Sequence, residues 1–277
     1  MSAPATTGGS SWGWRLLKAF TVLVYVFMFA PILVVLILSF NAADYGGFPF
    51  TGFSLRWFTK LVENQAIMGA FMTSTTLGIL TALVGTLVAM LAAMALVRYR
   101  VAGNKAIGLL AIAPLLIPET VLAVGLLLLL RALDLPKTFM LLFAGHVLIT
   151  LPFALLVLQA RLAGLGRSFE EAASSLGASS FAVFREITLP LSLPAMFAAI
   201  LFTFTISFDN LTASLFWRPS GVETVPTQIF AMLKDSVSPE INALGTVMIG
   251  VTIGLSLLAG AVSSRLARQM NTEANGD

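Results

Sequence analysis

The chain has 277 residues, of which 58% are hydrophobic and only 10% are charged, and its mean hydropathy is +0.94. Because an average soluble domain is about 25% charged, this composition excludes a soluble protein and indicates an integral membrane protein. The net charge of +3 is too small and too scattered to favour nucleic-acid binding, and the lack of cysteine together with a single histidine, His146, excludes disulfides and Cys- or His-based metal sites.

Six stretches of the chain carry almost no charge and are long enough to cross the hydrocarbon core, which takes about 20 apolar residues in a helix. Each is predicted to be helical, because a backbone polar group without a partner is costly in lipid. The sequence therefore predicts an all-α integral membrane protein with six transmembrane helices. In chain order, the stretches are residues 19–43, 64–97, 106–130, 138–160, 187–208 and 241–264.

The two ends of the chain are polar. Residues 1–14 are predicted to be a flexible tail, residues 15–268 the membrane domain, and residues 269–277 a second tail. The first apolar stretch is predicted to be a span rather than a cleavable signal peptide. It exceeds the roughly 7–15 apolar residues of a signal peptide, and no A-x-A cleavage site follows it.

Lysine and arginine predict the orientation, because they are enriched in cytoplasmic loops. If both termini lie on one side, that side carries ten of the 16 basic residues, so we expect the N and C termini in the cytoplasm. The ten are Arg15, Lys18, Arg98, Arg100, Lys105, Arg161, Arg167, Arg185, Arg265 and Arg268. The others are Arg56, Lys60, Arg131, Lys137, Arg218 and Lys234.

Two longer connections are predicted on the opposite side. Residues 40–66 contain SLRWFTKLV, a short helix with Trp57 and Phe58 on its apolar side, and residues 218–240 contain TQIFAMLKD, a second short amphipathic helix. Aromatic residues concentrate at membrane interfaces, so anchoring at the interface is the favoured interpretation. The alternative is contact with a soluble partner outside the cell membrane.

A polar segment, EEAASSLGASSFAVFREITLP, interrupts the apolar chain between the fourth and fifth stretches. Ser168 and Glu171 have the spacing of a capping box, which predicts a helix over about residues 169–176. Gly177 suits the left-handed residue that follows a helix. Ser179 or Ser180 can cap a second short helix, which Pro190 is predicted to end because it lacks an N–H donor.

Residues 171–190 carry the pattern E-A-A-x3-G-x9-I-x-L-P with every fixed position filled. This segment resembles the signature loop of permease subunits of binding-protein-dependent ABC importers with the type I (MetI-like) fold, and the order of the six spans is also similar to theirs. The resemblance implies that residues 161–192 form a loop that couples the permease to an ATPase. The coupling residues it implies are Ser168, Glu170, Glu171, Ala172, Ala173, Gly177, Ile187, Leu189 and Pro190.

The same resemblance implies the partners of the chain in the bacterial inner membrane. They are two cytoplasmic ABC ATPase subunits, a second and related permease in a heterodimer, an extracytoplasmic solute-binding protein, and the lipid bilayer. The chain itself has no G-x-x-x-x-G-K-[ST] phosphate-binding loop. We therefore expect no enzyme activity and no cofactor in this subunit, with ATP bound and hydrolysed by its partner.

Two acids lie at depth in the apolar stretches, where ionisable residues are candidates for function. From the helical rise, Glu119 is predicted roughly 20 Å and Asp209 roughly 24 Å from the cytoplasmic face. With Asn210, Phe208 and Trp217 nearby, the acids predict a path for an elongated organic cation held by charge and by cation–π contact. The alternative is that they only join helices or lie near the outer headgroups.

The stretches ISFDN, PETVLAVGLLLLL and SPEINALGTV resemble the spermidine/putrescine permease subfamily, which implies a polyamine as the solute. That subfamily often carries two adjacent acids where this chain has Asp209 and Asn210, so one negative charge is missing. Related permeases carry opines, other amines, phosphonates or ferric ion, and these remain alternative solutes.

A different class of function is a proton- or sodium-coupled secondary transporter with Asp209 and Glu119 as coupling acids. Such transporters usually show repeated halves with broken helices in matching positions, which this sequence does not show. The lack of cysteine and of a histidine–acid cluster disfavours a membrane-embedded enzyme.

Two further features are interpreted structurally. His146, in LLFAGHVLITLPF, is interpreted as a hydrogen-bonded helix contact rather than a substrate ligand. Glycine lets membrane helices approach closely, and several glycines are therefore predicted to lie at helix contacts. They are Gly78, Gly85, Gly245, Gly250 and Gly254.

Overall fold

The computed structural model describes residues 11–99, 102–235 and 238–275. Apart from one isolated bridge between Asn41 and Phe53, the regular structure in these ranges is helical, as predicted. The helices are α1 (Ser11–Ser39), α2 (Arg56–Glu63), α3 (Gln65–Arg98), α4 (Asn104–Leu116), α5 (Glu119–Ala132), α6 (Phe139–Gly164), α7 (Ser168–Ser175), α8 (Ser180–Val183), α9 (Leu189–Phe208), α10 (Thr212–Trp217), α11 (Val225–Asp235) and α12 (Pro239–Asn275). A π-helical turn, Phe184–Thr188, joins α8 to α9.

Five helical segments of the described chain are long and apolar enough to cross a membrane, and a sixth consists of two helices. The single segments are α1, α3, α6, the continuous run from α8 to α9, and α12. The sixth is α4 followed by α5, which are bent by 105° against each other at a short break. The predicted number of six spans is reached if this bent pair counts as one.

The bend between α4 and α5 corrects the prediction of one uninterrupted helix over residues 106–130. Ile117, after the end of α4, is extended (φ −98°, ψ 130°). The ring of Pro118 disfavours a helical conformation of the residue before it. Glu119 then begins α5, so the depth predicted for it from a straight helix does not apply.

The outer helices are longer than predicted. α1 begins at Ser11 and α12 continues to Asn275, so residues 11–14 and 269–275, predicted as tails, are helical. Neither extension contains proline, so nothing in the local sequence interrupts the backbone hydrogen bonds of the helix. The rest of the predicted tails lies outside the described residues.

The chain divides into two compact units. The first contains the described residues up to Glu63 and Met232–Val247, and the second contains Asn64–Ala231 and the residues from Met248 onward. In the second unit, α3, α6 and α9 pack against one another, and small residues allow the close approach that such packing needs. The core residues at this contact are Ala89, Met90, Ala93, Ala154, Leu155, Leu158, Leu162 and Ala199.

Glycines support helix packing at some of the predicted positions. An added Cβ would touch a side chain of another helix at three of the five, but at the other two it would meet nothing within 4 Å among the described residues. The three in contact are Gly78, Gly85 and Gly245, and the two without contact are Gly250 and Gly254. Sequence reasoning missed Gly145 on α6, where an added Cβ would overlap the buried ring of Trp217.

The short helices α2 and α11 confirm the secondary structure predicted for the two longer connections. Trp57 of α2 is only 3% exposed, and its indole N–H donates to the carbonyl of Asn41 (2.8 Å). The side chain of Asn41 accepts from the Thr51 N–H (2.9 Å) and donates to the carbonyls of Gly47 and Pro49 (3.2 and 3.1 Å). Trp57 therefore packs α2 against its own loop, which corrects its interpretation as an interface anchor.

We expect Gly145→Ala to lower the stability of the protein by about 1–3 kcal/mol, the usual cost of overpacking a core, because the new methyl group overlaps the Trp217 ring. Gly125→Ala, on an exposed part of α5 with nothing within 4 Å of its added Cβ, is the matched control. It should raise stability by up to about 1 kcal/mol, since alanine favours a helix. Melting temperatures of the purified variants in detergent measure both effects. Equal melting temperatures for Gly145→Ala and Gly125→Ala would contradict the close contact between Gly145 and the Trp217 ring.

Candidate functional site

Helix α7 and the turn after it lie where the first helix of the polar segment was predicted. Gly177 has a φ of +89°, which confirms the left-handed conformation predicted for it. Its N–H donates to the Ser174 carbonyl (3.0 Å), and the N–H of Ala178 donates to the Ala173 carbonyl (3.1 Å). These two bonds form a Schellman motif, which satisfies the last carbonyls of a helix. The helix therefore ends in a defined, hydrogen-bonded turn.

The N-terminus of α7 differs from the predicted capping box. Ser168 is the first helical residue rather than the cap, because Arg167 before it is already helical (φ −75°, ψ −11°), and no side chain caps the helix. A hydroxyl at the first helical position is not placed to receive the third helical N–H, as a capping residue would.

Glu170 and Glu171 differ in their contacts and in their exposure. The carboxylate of Glu170 accepts hydrogen bonds from Nε of Arg98 (3.1 Å) and from Oγ1 of Thr188 (2.9 Å), whereas Glu171 is exposed. Sequence reasoning missed Arg98 and Thr188 as partners of this helix. They lie 72 and 18 residues from Glu170 in the chain, so no local pattern connects them to it.

The polar segment carries several exposed side chains. Glu171 and Ala172 are exposed on α7, and three large apolar side chains are exposed around it. These are Phe169 (62% exposed), Leu176 (90%) and Phe181 (69%). Among the other predicted coupling residues, Ala173, Ile187 and Leu189 are half-buried and Pro190 is exposed. Exposed apolar groups rimmed by polar residues mark a contact surface for another molecule.

The second half of the segment begins a long helix. The hydroxyl of Ser179 caps α8, as predicted. Pro190 does not end the helix, contrary to the prediction, but lies in the first turn of α9. The π-helical turn explains this, because the N–H of Leu189 donates to the carbonyl of Phe184, five residues back. The wider turn accommodates a proline that lacks a donor and whose ring would otherwise clash with the preceding turn.

Glu119 and Asn210 meet at two helix breaks. The side-chain amide of Asn210, just after α9, donates to the carboxylate of Glu119 at the start of α5 (2.5 Å). The amide oxygen of Asn210 also accepts from the N–H of Ala213 (2.8 Å), which fixes its orientation. Both residues line a cavity of about 340 Å³ whose other walls are apolar. These walls include Leu122, Ile149, Phe153 and Ile206.

Asp209 precedes Asn210 in the chain but faces a different helix. Its carboxylate accepts from Oγ1 of Thr252 on α12 (3.1 and 3.2 Å), and it does not line the Glu119 cavity. The two carboxylates therefore have different hydrogen-bond partners, and Asp209 is not part of the cavity that Glu119 lines.

Phe208 and Trp217 belong to the packed core, which corrects their assignment to the substrate path. Phe208 is 1% exposed, stacks on Phe204 (ring centroids 5.4 Å apart) and meets Phe71 edge-on (5.9 Å). Trp217 is fully buried, and its indole N–H donates to the Ala123 carbonyl (2.8 Å). A cation cannot reach either ring face without displacing these neighbours.

His146 joins helices, as predicted. It is fully buried on α6, with Nδ1 2.8 Å from the hydroxyl of Ser207 on α9 and Nε2 3.2 Å from the hydroxyl of Ser214 on α10. Both ring nitrogens therefore have partners, as buried polar groups require. The two serines flank the break that carries Asn210, so His146 holds both sides of that break against α6.

Comparisons with known proteins agree with the motif. Residues 85–272 match the family described as binding-protein-dependent transport system inner membrane component. The chain is 34% identical over 264 residues to the spermidine/putrescine transport system permease protein PotC of Escherichia coli, covering 95% of this chain and 98% of that protein. It is 32% identical to the putrescine transport system permease protein PotI of the same organism, over 92% of each chain.

A solved structure shares the fold. A chain of the bacterial alginate ABC transporter, in complex with an alginate pentasaccharide-bound periplasmic protein, superposes with a TM-score of 0.69. The superposition covers 91% of this chain and 94% of that one, at 17% sequence identity. At this identity the likeness concerns the fold alone, and it confirms the predicted helical permease architecture.

We expect Trp217→Phe to lower the melting temperature by about 2–4 °C, because the ring is mostly kept but the bond to the Ala123 carbonyl, worth about 1 kcal/mol, is lost. The KM of transport should not change, since the ring is buried in the core. Trp14→Phe, at an exposed position of α1, is the control and should change neither quantity. A raised KM at an unchanged melting temperature would return Trp217 to the substrate path.

Proposed function

The chain belongs to the family of binding-protein-dependent transport system inner membrane components, the permeases of type I ABC importers, and we propose that its solute is a polyamine such as putrescine or spermidine. It is a multi-pass protein of the bacterial inner membrane. Relatives that match nearly the whole chain at 34% and 32% identity are named for the transport of these amines. The apolar cavity with one carboxylate, that of Glu119, suits an alkyl chain that ends in an ammonium group.

The exposed surface around α7 is the observation that carries the coupling function. A short helix with a hydrogen-bonded glycine turn and exposed Phe169, Leu176 and Phe181 suits docking into a groove of a partner protein. We assign that partner as a cytoplasmic ABC ATPase, which binds and hydrolyses the ATP. The assembly contains two ATPase subunits, this permease in a heterodimer with a related one, and a solute-binding protein outside.

The path of the solute passes the two helix breaks at Glu119 and Asn210. Irregular backbone at membrane depth is tolerated where it lines a cavity, and both breaks border the same one. Asp209 contributes a second negative charge from the other side of the break, toward Thr252. An ammonium group therefore meets one carboxylate at a time along this route, rather than two in one pocket.

We expect Glu171→Lys and Gly177→Pro each to uncouple ATP hydrolysis from transport while leaving membrane insertion intact. The first places a positive charge on the docking surface, and the second is incompatible with a φ of +89°, since proline holds φ near −65°. Solute uptake and ATPase activity of the reconstituted complex measure the effect.

Matched controls separate docking from general damage. Glu186→Lys reverses a charge on the same segment, in an exposed pair with Arg185. Gly177→Asn replaces the glycine by a residue that tolerates the left-handed conformation. Both should transport nearly as the wild type. Normal coupling in Glu171→Lys and Gly177→Pro, or full activity of the purified chain without an ATPase, would overturn the assignment.

We expect Glu119→Gln to raise the KM for putrescine by about tenfold, about 1.4 kcal/mol, because it removes the charge but keeps the shape of the side chain. Glu63→Gln, a neutralised acid outside the cavity, should leave KM unchanged. Uptake of labelled putrescine by the reconstituted transporter measures both. An unchanged KM in Glu119→Gln would remove this residue from the solute path.

A further inference from the structure

Arginines join the base of α7 to the end of α3. Arg167, just before α7, donates to the carbonyls of Val97 and Arg98 (3.0 and 3.1 Å). Arg98, the last residue of α3, donates in turn to the carbonyl of Leu165 (3.0 Å). Cations at a helix C-terminus satisfy its free carbonyls and its negative dipole end. The end of α3 is therefore bonded to both sides of the turn that leads from α6 into α7.

The carboxylate of Glu170 connects α3 and α7 to a third element, the π-helical turn. Glu170 of α7 accepts from Arg98 and also from Thr188, the last residue of the π-helical turn before α9. The side chains of Arg98 and Glu170 are 8% and 19% exposed, and Thr188 is 2% exposed. Shielded charges are screened less by salt and water than the exposed pair of Arg185 and Glu186.

Helix α7 needs such an attachment, because it has only eight residues. The backbone hydrogen bonds of so short a helix do not stabilise it by themselves, so contacts with other elements must hold it in position. Its neighbour Glu171 is exposed, whereas Glu170 bonds to α3 and to the π-helical turn at the same time. Helices α3 and α9 are both part of the packed core with α6, so Glu170 connects α7 to the end of one core helix and to the turn that leads into another.

We propose that Glu170 is the positioning residue that transmits movement of α7 to α3 and α9. This inference rests on the proposed function, in which an ATPase docks on the exposed face of α7. It assigns different roles to the two neighbouring acids. Glu171 contacts the partner, and Glu170 carries the displacement into the membrane helices through Arg98 and Thr188.

The test compares Glu170→Ala and Glu170→Gln with Glu186→Gln in the full complex of permease, ATPase and binding protein. The ratio of solute transported to ATP hydrolysed should fall by about tenfold in Glu170→Ala, within the usual range of coupling between sites. The amount of ATPase that co-purifies should stay the same. Glu186→Gln neutralises an acid of an exposed pair and should leave the ratio at the wild-type value.

A spin label on Leu176, the residue that follows α7, provides a readout that does not depend on transport. The chain has no cysteine, so Leu176→Cys, at a side chain that is 90% exposed, gives a single labelling site. The label should become more mobile when Glu170→Ala is added and should not change with Glu186→Gln. If Glu170→Ala does not assemble, the ratio of solute transported to ATP hydrolysed is measured in Glu170→Gln, which keeps an acceptor for Thr188 but loses the charge. The ratio should again fall.

Each outcome is decisive. A normal ratio in the Glu170 variants overturns the inference, and so does a loss of ATPase binding in parallel with transport, since Glu170 would then be a docking residue. If these variants couple normally while Glu171→Lys does not, the proposed function stands and this inference alone fails. If the wild-type chain binds no ATPase, both fail.

Discussion

Small side chains at the crossings of α3, α6 and α9 are the constraint on which the rest of this structure depends. In lipid, helices gain nothing by burying apolar surface, so their association relies on close van der Waals contact. Ala89 and Ala93 on α3 and Ala199 on α9 are fully buried and let the leucines of α6 fill the space between the helices. The end of α3 is bonded to the base of α7, α9 continues from the π-helical turn, and α6 carries His146, so the polar segment and the break after α9 are both attached to this core.

Interrupted helices place polar groups beside a cavity. The break at Ile117 and Pro118 puts Glu119 at the start of a helix, and the break after α9 brings Asn210 to it. Such breaks leave backbone groups without helical partners, which is tolerated at depth only beside a cavity or inside the protein. Asn210 satisfies an N–H of α10, and His146 holds both sides of the break, so the cavity has a defined wall.

Local rules predicted the parts of the site that local chemistry controls. Gly177 adopts the predicted conformation because a helix end needs a left-handed residue there. The capping box at Ser168 failed because Arg167 becomes helical while it is bonded to the end of α3, 70 residues away in the chain. The stop at Pro190 failed because a π-helical turn, held through Thr188, widens the backbone ahead of it. Both predictions were wrong because the contacts involved join residues that are distant in the chain, so no local sequence pattern indicates them.

The sequence by itself determined the membrane class, the positions of the apolar stretches and the helix with its glycine turn in the polar segment, because hydropathy and glycine act over a few residues. Only the tertiary structure decided which of two neighbouring acids faces inward. Successive residues on a helix differ by about 100° around its axis, so Glu170 turns to Arg98 while Glu171 faces solvent. The division between Asp209, toward Thr252, and Asn210, toward Glu119, has a similar origin, since it depends on where distant helices pack.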